Sequence, residues 1–275
     1  MRRSEGPWQR HDDLKAKVNP VRDSSGALNP AGIILKSKPQ PRCSRRPRGP
    51  LARREKRGII SNGVKRITLL LEREYGISQR EKGADPLDIL IQTILSQNTN
   101  DLNRDRAYER LKNRFPLWED VLKAKTDAVI SAIRPGGLAG QKAKRIREIL
   151  RWIKKRERRL SLSFLKGMDS EEIKKLIGGL KGVGPKTVHC LLLFGLERDA
   201  FPVDTHILRI GKRLGFIPER MDAVKAHPWM VPLISKGKSL SLHLNLIRFG
   251  REICRANHPQ CEDCFLAEEC LYHSQ

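Results

Sequence analysis

Four cysteines lie close together near the end of this 275-residue chain: Cys254, Cys261, Cys264 and Cys270. They follow the spacing C-x6-C-x2-C-x5-C, which places four thiols within 17 residues. Zinc binds four thiolates in a tetrahedral site, and a cubane iron–sulfur cluster binds one thiolate at each iron. The pattern therefore predicts one metal site with four cysteine ligands, and the spacing alone does not choose between zinc and iron.

A lysine directly after a glycine-rich turn is a candidate nucleophile. Gly182 and Gly184 flank Val183, and Pro185 fits the first position of a following helix. The free amides at a helix start attract anions, so Gly182 and Gly184 are candidate phosphate contacts. Lys186 falls in the first helical turn, where a cation opposes the helix dipole. An amine held uncharged there suits Schiff-base chemistry, and the alternative is a solvated lysine or one that contacts a phosphate.

A carboxylate in the segment 201–206 (FPVDTH) is a second candidate. Asp204 stands just before a predicted helix, and helix capping alone would explain an aspartate there. The two roles are compatible, because one carboxylate can cap a helix and also face a cleft. If Asp204 lies near Lys186, it could accept the proton of that amine or stabilise positive charge that builds on a sugar. His206 is the weaker candidate, because contacts with core or surface neighbours would explain a histidine there.

The elements that must position these residues are helices. Apolar residues recur at helical spacing along most of the chain from residue 58, and no convincing run of alternating strands occurs. Glycine and proline turns separate the periodic segments at 135–137, 178–179 and 181–184. The sequence predicts an all-α fold with helices over 63–75, 86–97, 101–114, 118–124, 126–133, 141–157, 170–179, 185–195, 205–214 and 240–253.

The net charge of +24 favours nucleic acid as partner, with an acidic membrane surface or a merely soluble basic protein as alternatives. Residues 1–57 hold 16 Lys and Arg against five Asp and Glu and lack hydrophobic periodicity. They predict a disordered basic tail, which is either a phosphate-binding arm or a dispensable extension. No apolar run approaches the roughly 20 residues that span a bilayer, and the start lacks a secretory signal. We therefore expect an intracellular protein without a membrane partner, in which cysteines suit metals better than disulfides.

Several segments together resemble the endonuclease III branch of the helix-hairpin-helix DNA glycosylases. They are ILSQNTND (94–101), GLAGQKA (137–143), LKGVGPKT (180–187), FPVDTH (201–206) and the four-cysteine ending. Each motif alone is modest, but their order and separation match the family over residues 63–272. The sequence departs from the family at Asn98, where Gln is common, at Ala139, where an aromatic residue is frequent, and at Pro185, where a basic residue is common.

The resemblance implies a six-helix barrel over 85–198 beside a second helical domain built from 58–84 and 199–275, with DNA in the cleft between them. It implies that Lys186 and Asp204 are the catalytic residues. The ligands of a [4Fe–4S] cluster, with zinc as the alternative, would be Cys254, Cys261, Cys264 and Cys270. The implied DNA contacts are Gln97, Asn98, Gly182, Val183, Gly184 and Thr187.

The implied function is base-excision repair. The family resemblance points to a monomeric DNA glycosylase and AP lyase that acts on oxidised pyrimidines and abasic sites in double-stranded DNA through a Schiff base and β-elimination. Its location would be intracellular and DNA-associated, which in a prokaryote means the cytoplasm or nucleoid. One alternative is a non-catalytic DNA-binding module with a structural metal, in which Lys186 and Asp204 are ordinary surface and capping residues. The other is a monofunctional glycosylase, either of the mismatch-adenine branch, which lacks the lysine, or with mismatch-thymine activity.

Overall fold

The computed structural model describes the backbone of residues 50–79 and 84–273 and, within these ranges, the side chains from residue 58 onward. Residues 1–49 of the predicted tail lie outside the described residues. The first helix spans Pro50–Tyr75, so the predicted end of the tail at residue 57 falls inside a helix. Proline fits a helix start, and LARREKR after it contains only residues of good helix propensity. In residues 50–57, helix propensity therefore outweighs the high charge that suggested disorder.

The described part of the chain contains eleven α-helices and no strand, which confirms the predicted all-α class. Short 3-10 segments lie between several helices. The helices are α1 (Pro50–Tyr75), α2 (Pro86–Leu95), α3 (Asp101–Arg114), α4 (Trp118–Lys123), α5 (Thr126–Ile133), α6 (Ala139–Glu157), α7 (Ser170–Gly178), α8 (Pro185–Cys190), α9 (Thr205–Arg213), α10 (Ala223–Met230) and α11 (Ser239–Glu252).

Besides the earlier start of α1, the predicted helices differ from the structure mainly at two places. The segment predicted as one helix over 185–195 divides into α8 and a π-helical turn, Leu191–Gly195, in which the Leu196 amide donates to the Leu191 carbonyl. Helix α10 was not predicted, because Pro228 lies inside it and proline normally interrupts a helix. The Asp222 carboxylate caps α10 by accepting from the Lys225 amide at 2.8 Å.

Two hydrophobic cores organise the helices. The first is formed by α2 to α8 and the π-helical turn, and α2 lies at its centre because nine of its ten residues are buried. The second is formed by α1, α9, α10 and α11 together with the cysteine-bearing end of the chain. Burial of each large apolar side chain contributes about 1.5–3 kcal/mol, so each core is a substantial source of stability.

The cores meet along α8, α10 and α11. Leu240 of α11 belongs to the first core, and the rings of His189 on α8 and His227 on α10 lie 4.7 Å apart between centroids. The division into domains at 85–198 and at 58–84 with 199–275 stays a prediction. No helix in the described ranges is both long and apolar enough to span a membrane.

Candidate active site and cysteine loop

The glycine turn and α8 form a helix-hairpin-helix with α7. Gly182 has a φ of +82°, a left-handed conformation that glycine adopts without strain. Lys186, in the first turn of α8, is exposed, as is Gly184, which is the N-cap residue. Val183 is buried, and its amide donates to the Leu180 carbonyl at 3.0 Å inside the turn. Of the predicted hairpin contacts, Gly184 is therefore open to a ligand, whereas the Val183 side chain is not.

A hydrogen-bonded network joins the segment after α2 to the hairpin. Gln97 Nε2 donates to the Gly182 carbonyl at 3.2 Å and to Thr187 Oγ1 at 3.4 Å. Arg145 of α6 donates to Gln97 Oε1, and a Cβ at Gly182 would collide with the Arg145 guanidinium. Thr187 is 3% exposed. The predicted DNA contacts Gln97 and Thr187 are therefore engaged inside the protein, and Arg145 is a member of the site that the sequence did not indicate.

Two exposed residues with left-handed backbone project from neighbouring turns. Asn98 has a φ of +52° and is exposed, and Leu138 has a φ of +47° and is 50% exposed. Lys142 is 2% exposed, and its ammonium donates to the Leu95 and Gly136 carbonyls, each at 2.7 Å. Lys142 thus ties the turn that carries Asn98 to the turn that carries Leu138. The sequence indicated Asn98 but neither Leu138 nor Lys142.

The candidate carboxylate Asp204 is the N-cap residue of α9. Its Oδ1 accepts from the Ile207 amide at 2.8 Å, and the side chain is half-buried. Burial raises the pKa of the Cys190 thiol to about 12, which the charge of Lys186 opposes and that of Asp204 reinforces. The same two charges act on His243, where burial lowers the pKa to about 4. The charges of Lys186 and Asp204 therefore both act on the same two buried residues, Cys190 and His243.

A second carboxylate lies near Lys186. Asp101, at the start of α3, forms an ion pair with Arg104 at 2.7 Å and a second one with Arg251 of α11. Burial disfavours its charged form, but Arg104 and Arg251 prevail and hold the pKa of Asp101 below its ordinary value, and the charge of Lys186 acts in the same direction. Asp101 is the last residue of the segment ILSQNTND, but the sequence indicated no role for it, because its partner Arg251 is 150 residues away along the chain.

The four predicted cysteine ligands line one pocket. Burial raises the pKa of the Cys264 thiol, and charge on each of the other three cysteines raises it further. In the described ranges, no group of three or more His, Cys, Asp or Glu side chains is in a position to hold a metal ion. The donor set nevertheless fits a cluster with four thiolate ligands, because all four cysteines line the same pocket and no other ligand is needed.

The cysteine loop is bonded to the helix that Asp204 caps. Arg209 of α9 donates to the Cys254 carbonyl at 2.8 Å and to the Gly250 carbonyl at 3.0 Å. Arg213 of α9 lies 3.3 Å from Cys254 Sγ through its Nη1, which fits a hydrogen bond to a thiolate. Arg209 also lies 3.2 Å from His206 Nδ1, so His206 has structural neighbours that account for it. Residues of α9 thus connect the cysteine pocket to the candidate active site.

Comparison with known proteins gives a consistent result. Residues 91–229 match the family described as HhH-GPD superfamily base excision DNA repair protein. Endonuclease III of Thermotoga maritima is 33% identical over 195 residues, which cover 71% of this chain and 87% of that protein. A protein of Arabidopsis thaliana whose name provisionally assigns it as a DNA glycosylase is 46% identical over 168 residues, and the match spans 57% of its own length.

Solved structures share the fold. A non-covalent complex of endonuclease III with DNA superimposes with a TM-score of 0.67 at 24% identity, covering 78% of this chain and 96% of that one. A thermostable thymine-DNA glycosylase superimposes with a TM-score of 0.64 at 22% identity, covering 81% and 99%. At this level of identity the likeness concerns the fold, and it confirms the predicted helix-hairpin-helix glycosylase architecture.

Proposed function

The chain belongs to the HhH-GPD superfamily of base excision DNA repair proteins, within its endonuclease III family, and from this we propose that it is a bifunctional DNA glycosylase and AP lyase. The observation that carries the proposal is that an exposed amine, Lys186, begins α8 and a half-buried carboxylate, Asp204, caps α9. Both charges act on the same buried neighbours, Cys190 and His243. An amine and a carboxylate so placed suit Schiff-base chemistry on a sugar.

In the proposed reaction, Lys186 Nζ forms a bond to C1′ of an extruded nucleotide. The glycosidic bond between C1′ and the base breaks, and the base leaves with the electron pair and gains a proton. Asp204 accepts a proton from the attacking amine or stabilises the positive charge on the sugar. Ring opening gives a Schiff base, and loss of a C2′ proton then breaks the C3′–O bond and releases the 3′ phosphate.

The proposed partner is double-stranded DNA, bound by a monomer at a DNA-associated location in the cell. Gly184 and Lys186 in the first turn of α8 are exposed, so this turn is available to a phosphate. Asn98 and Leu138 have the exposure needed to enter the stack when a base is extruded. The proposed substrates, oxidised pyrimidines and abasic sites, rest on the family resemblance.

We propose a [4Fe–4S] cluster as the metal group. Its ligands would be Cys254, Cys261, Cys264 and Cys270, which share one pocket. When bound, the cluster would supply four iron–thiolate bonds that cross-link the end of the chain. Arg209 and Arg213 bond the cysteine loop to α9. Through these two residues, a loop fixed by the cluster would also fix the position of α9 and its cap Asp204.

Borohydride trapping on duplex DNA with an abasic site tests the proposed chemistry. We expect a covalent adduct with the wild-type protein and none with Lys186→Ala. Lys181→Ala is the matched control, because it removes an exposed lysine from the same hairpin. Asp204→Asn should slow trapping at least about tenfold while keeping the helix cap, since asparagine caps as well as aspartate. An undiminished adduct in Lys186→Ala would remove Lys186 from its role.

A further inference from the structure

The two proposed catalytic groups belong to different cores, so their separation depends on how the cores are held together. Lys186 lies on α8, which packs into the first core, and Asp204 caps α9 of the second. Small displacements of reacting groups reduce rates steeply, by about 100-fold for an error of about 1 Å. A contact that fixes the cores near this site would therefore affect the reaction more than it affects folding.

Asp101 and Arg251 form such a contact. Asp101 is the first residue of α3 in the first core, and Arg251 lies in the last turn of α11 in the second. Arg104, which is 3% exposed, forms a separate ion pair with the Asp101 carboxylate inside the first core. Arg104 also pairs with Asp105 at 2.7 Å. Asp101 is thus anchored in its own core before it reaches across to the other.

Each end of this ion pair adjoins one of the catalytic groups. On the first core, Gln97 binds Thr187, the residue after Lys186, and so ties the segment leading to Asp101 to the start of α8. On the second core, Arg251 follows Gly250, which packs so closely on His206 that a Cβ would lie 3.0 Å from its Nδ1. His206 is in the first turn of α9, two residues after its N-cap residue Asp204.

We propose that Asp101 and Arg251 are a positioning pair that sets the distance between Lys186 and Asp204. This rests on the proposed function. The side chains are 35% and 49% exposed, and ion pairs so exposed contribute little to stability. The role of the pair is therefore geometric: it holds the start of α3 against the end of α11 at the edge of the junction.

The first test measures trapping rates at saturating enzyme. We expect Asp101→Asn and Arg251→Gln each to slow adduct formation about tenfold or more. Arg251→Gln should leave the melting temperature unchanged, and Asp101→Asn should lower it no more than Asp105→Asn does, because both of these changes remove a partner of the buried Arg104. The double variant should be no slower than the slower single one, because both changes break one contact. Arg251→Lys should recover part of the rate. Asp105→Asn is the control, because it also removes a partner of Arg104, but the ion pair that it breaks lies within α3.

Independent losses that multiply in the double variant, or a wild-type rate in Asp101→Asn, would overturn the pair as a positioning device. A wild-type protein that forms no adduct would instead contradict the proposed function.

The second test does not need activity. Spin labels carried by non-natural amino acids at the exposed positions Leu117 and Val224, one on each core, report the distance between the cores. We expect a narrow distance distribution for wild type and Asp105→Asn and a broader one for Asp101→Asn; an unchanged distribution would overturn the proposal.

Discussion

Lys142 is a charged residue placed in the interior to hold two turns together. Its ammonium donates to the Leu95 and Gly136 carbonyls, and burial together with the charge of Arg145 lowers its pKa to about 8. Charge-assisted hydrogen bonds of this kind are the strong ones, and a buried carbonyl left without a donor is unfavourable. We therefore expect Lys142→Met to lower the free energy of unfolding by about 2–4 kcal/mol, measured by chemical denaturation.

The control for that change is Lys144→Met on the same helix, because Lys144 is exposed. It should change stability by less than about 0.5 kcal/mol. Lys142→Met should also weaken binding to a damaged duplex, since the turns that carry Asn98 and Leu138 lose their common anchor. Equal stability of the two variants would show that the buried ammonium does not stabilise the turns.

Gln97 and Asn98 are adjacent amides, and the structure assigns them different tasks. Gln97 is bonded within the protein to Gly182 and Thr187, whereas Asn98 is exposed on a left-handed backbone. We expect Gln97→Ala to lower the free energy of unfolding by about 1–2 kcal/mol. Asn98→Gly, which keeps the left-handed backbone without strain, should leave the melting temperature nearly unchanged and reduce base release from a damaged duplex, measured on a gel. The reverse pattern would contradict the assignment of Asn98 to the DNA.

At the scale of elements, the cysteine loop and α9 form a single unit through Arg209 and Arg213. We expect the purified protein to show visible iron–sulfur absorption. Cys261→Ser should lose this absorption and the bound iron, because an iron without its thiolate is released. Cys43→Ser, which changes a cysteine outside the predicted ligand set, is the control. A colourless protein that contains zinc would contradict the cluster and favour the alternative metal.

Hydrophobic periodicity and the positions of glycine and proline were sufficient to predict most helices. The spacing of the four cysteines was sufficient to predict that they share one site, and in the structure they line one pocket. The start of α1 was not predicted, because the high charge of that segment suggested disorder. Helix α10 was not predicted, because it contains Pro228. Contacts between segments far apart in sequence were also out of reach. Lys142 donates to a carbonyl 47 residues away along the chain, and Arg251 pairs with Asp101. The roles of both residues can be recognised only once the fold is known.

At the scale of the whole molecule, charge is concentrated toward the start of the chain. Residues 1–57 carry a net charge of +11 out of +24. Because α1 begins at Pro50, deletion of residues 1–49 removes most of this charge and leaves that helix whole. We expect the deletion to weaken binding to undamaged duplex and to flatten its dependence on salt, since fewer counterions are released. An unchanged slope of affinity against salt would show that the segment does not contact DNA.

The junction of the two cores should make stability depend on pH. Burial lowers the pKa of His189 to about 3 and that of His243 to about 4, and it also lowers the pKa of His227. In the unfolded chain these imidazoles bind protons below about pH 6.5, whereas in the folded protein they stay neutral until far lower pH. The unfolded state therefore binds more protons between about pH 6.5 and pH 4, and stability falls as pH falls through this window.

Each such imidazole can remove up to about 1.4 kcal/mol per pH unit. We expect the free energy of unfolding to be level between pH 7 and 8 and to decline from about pH 6.5. Paired carboxylates such as Asp101, whose pKa is below its ordinary value, lose stability only at still lower pH. His189→Phe, measured by denaturation between about pH 5 and pH 7, should show a shallower decline, because one proton-binding site is absent from the unfolded chain. An identical pH slope in this variant would show that the buried histidine does not govern the acid sensitivity of the junction.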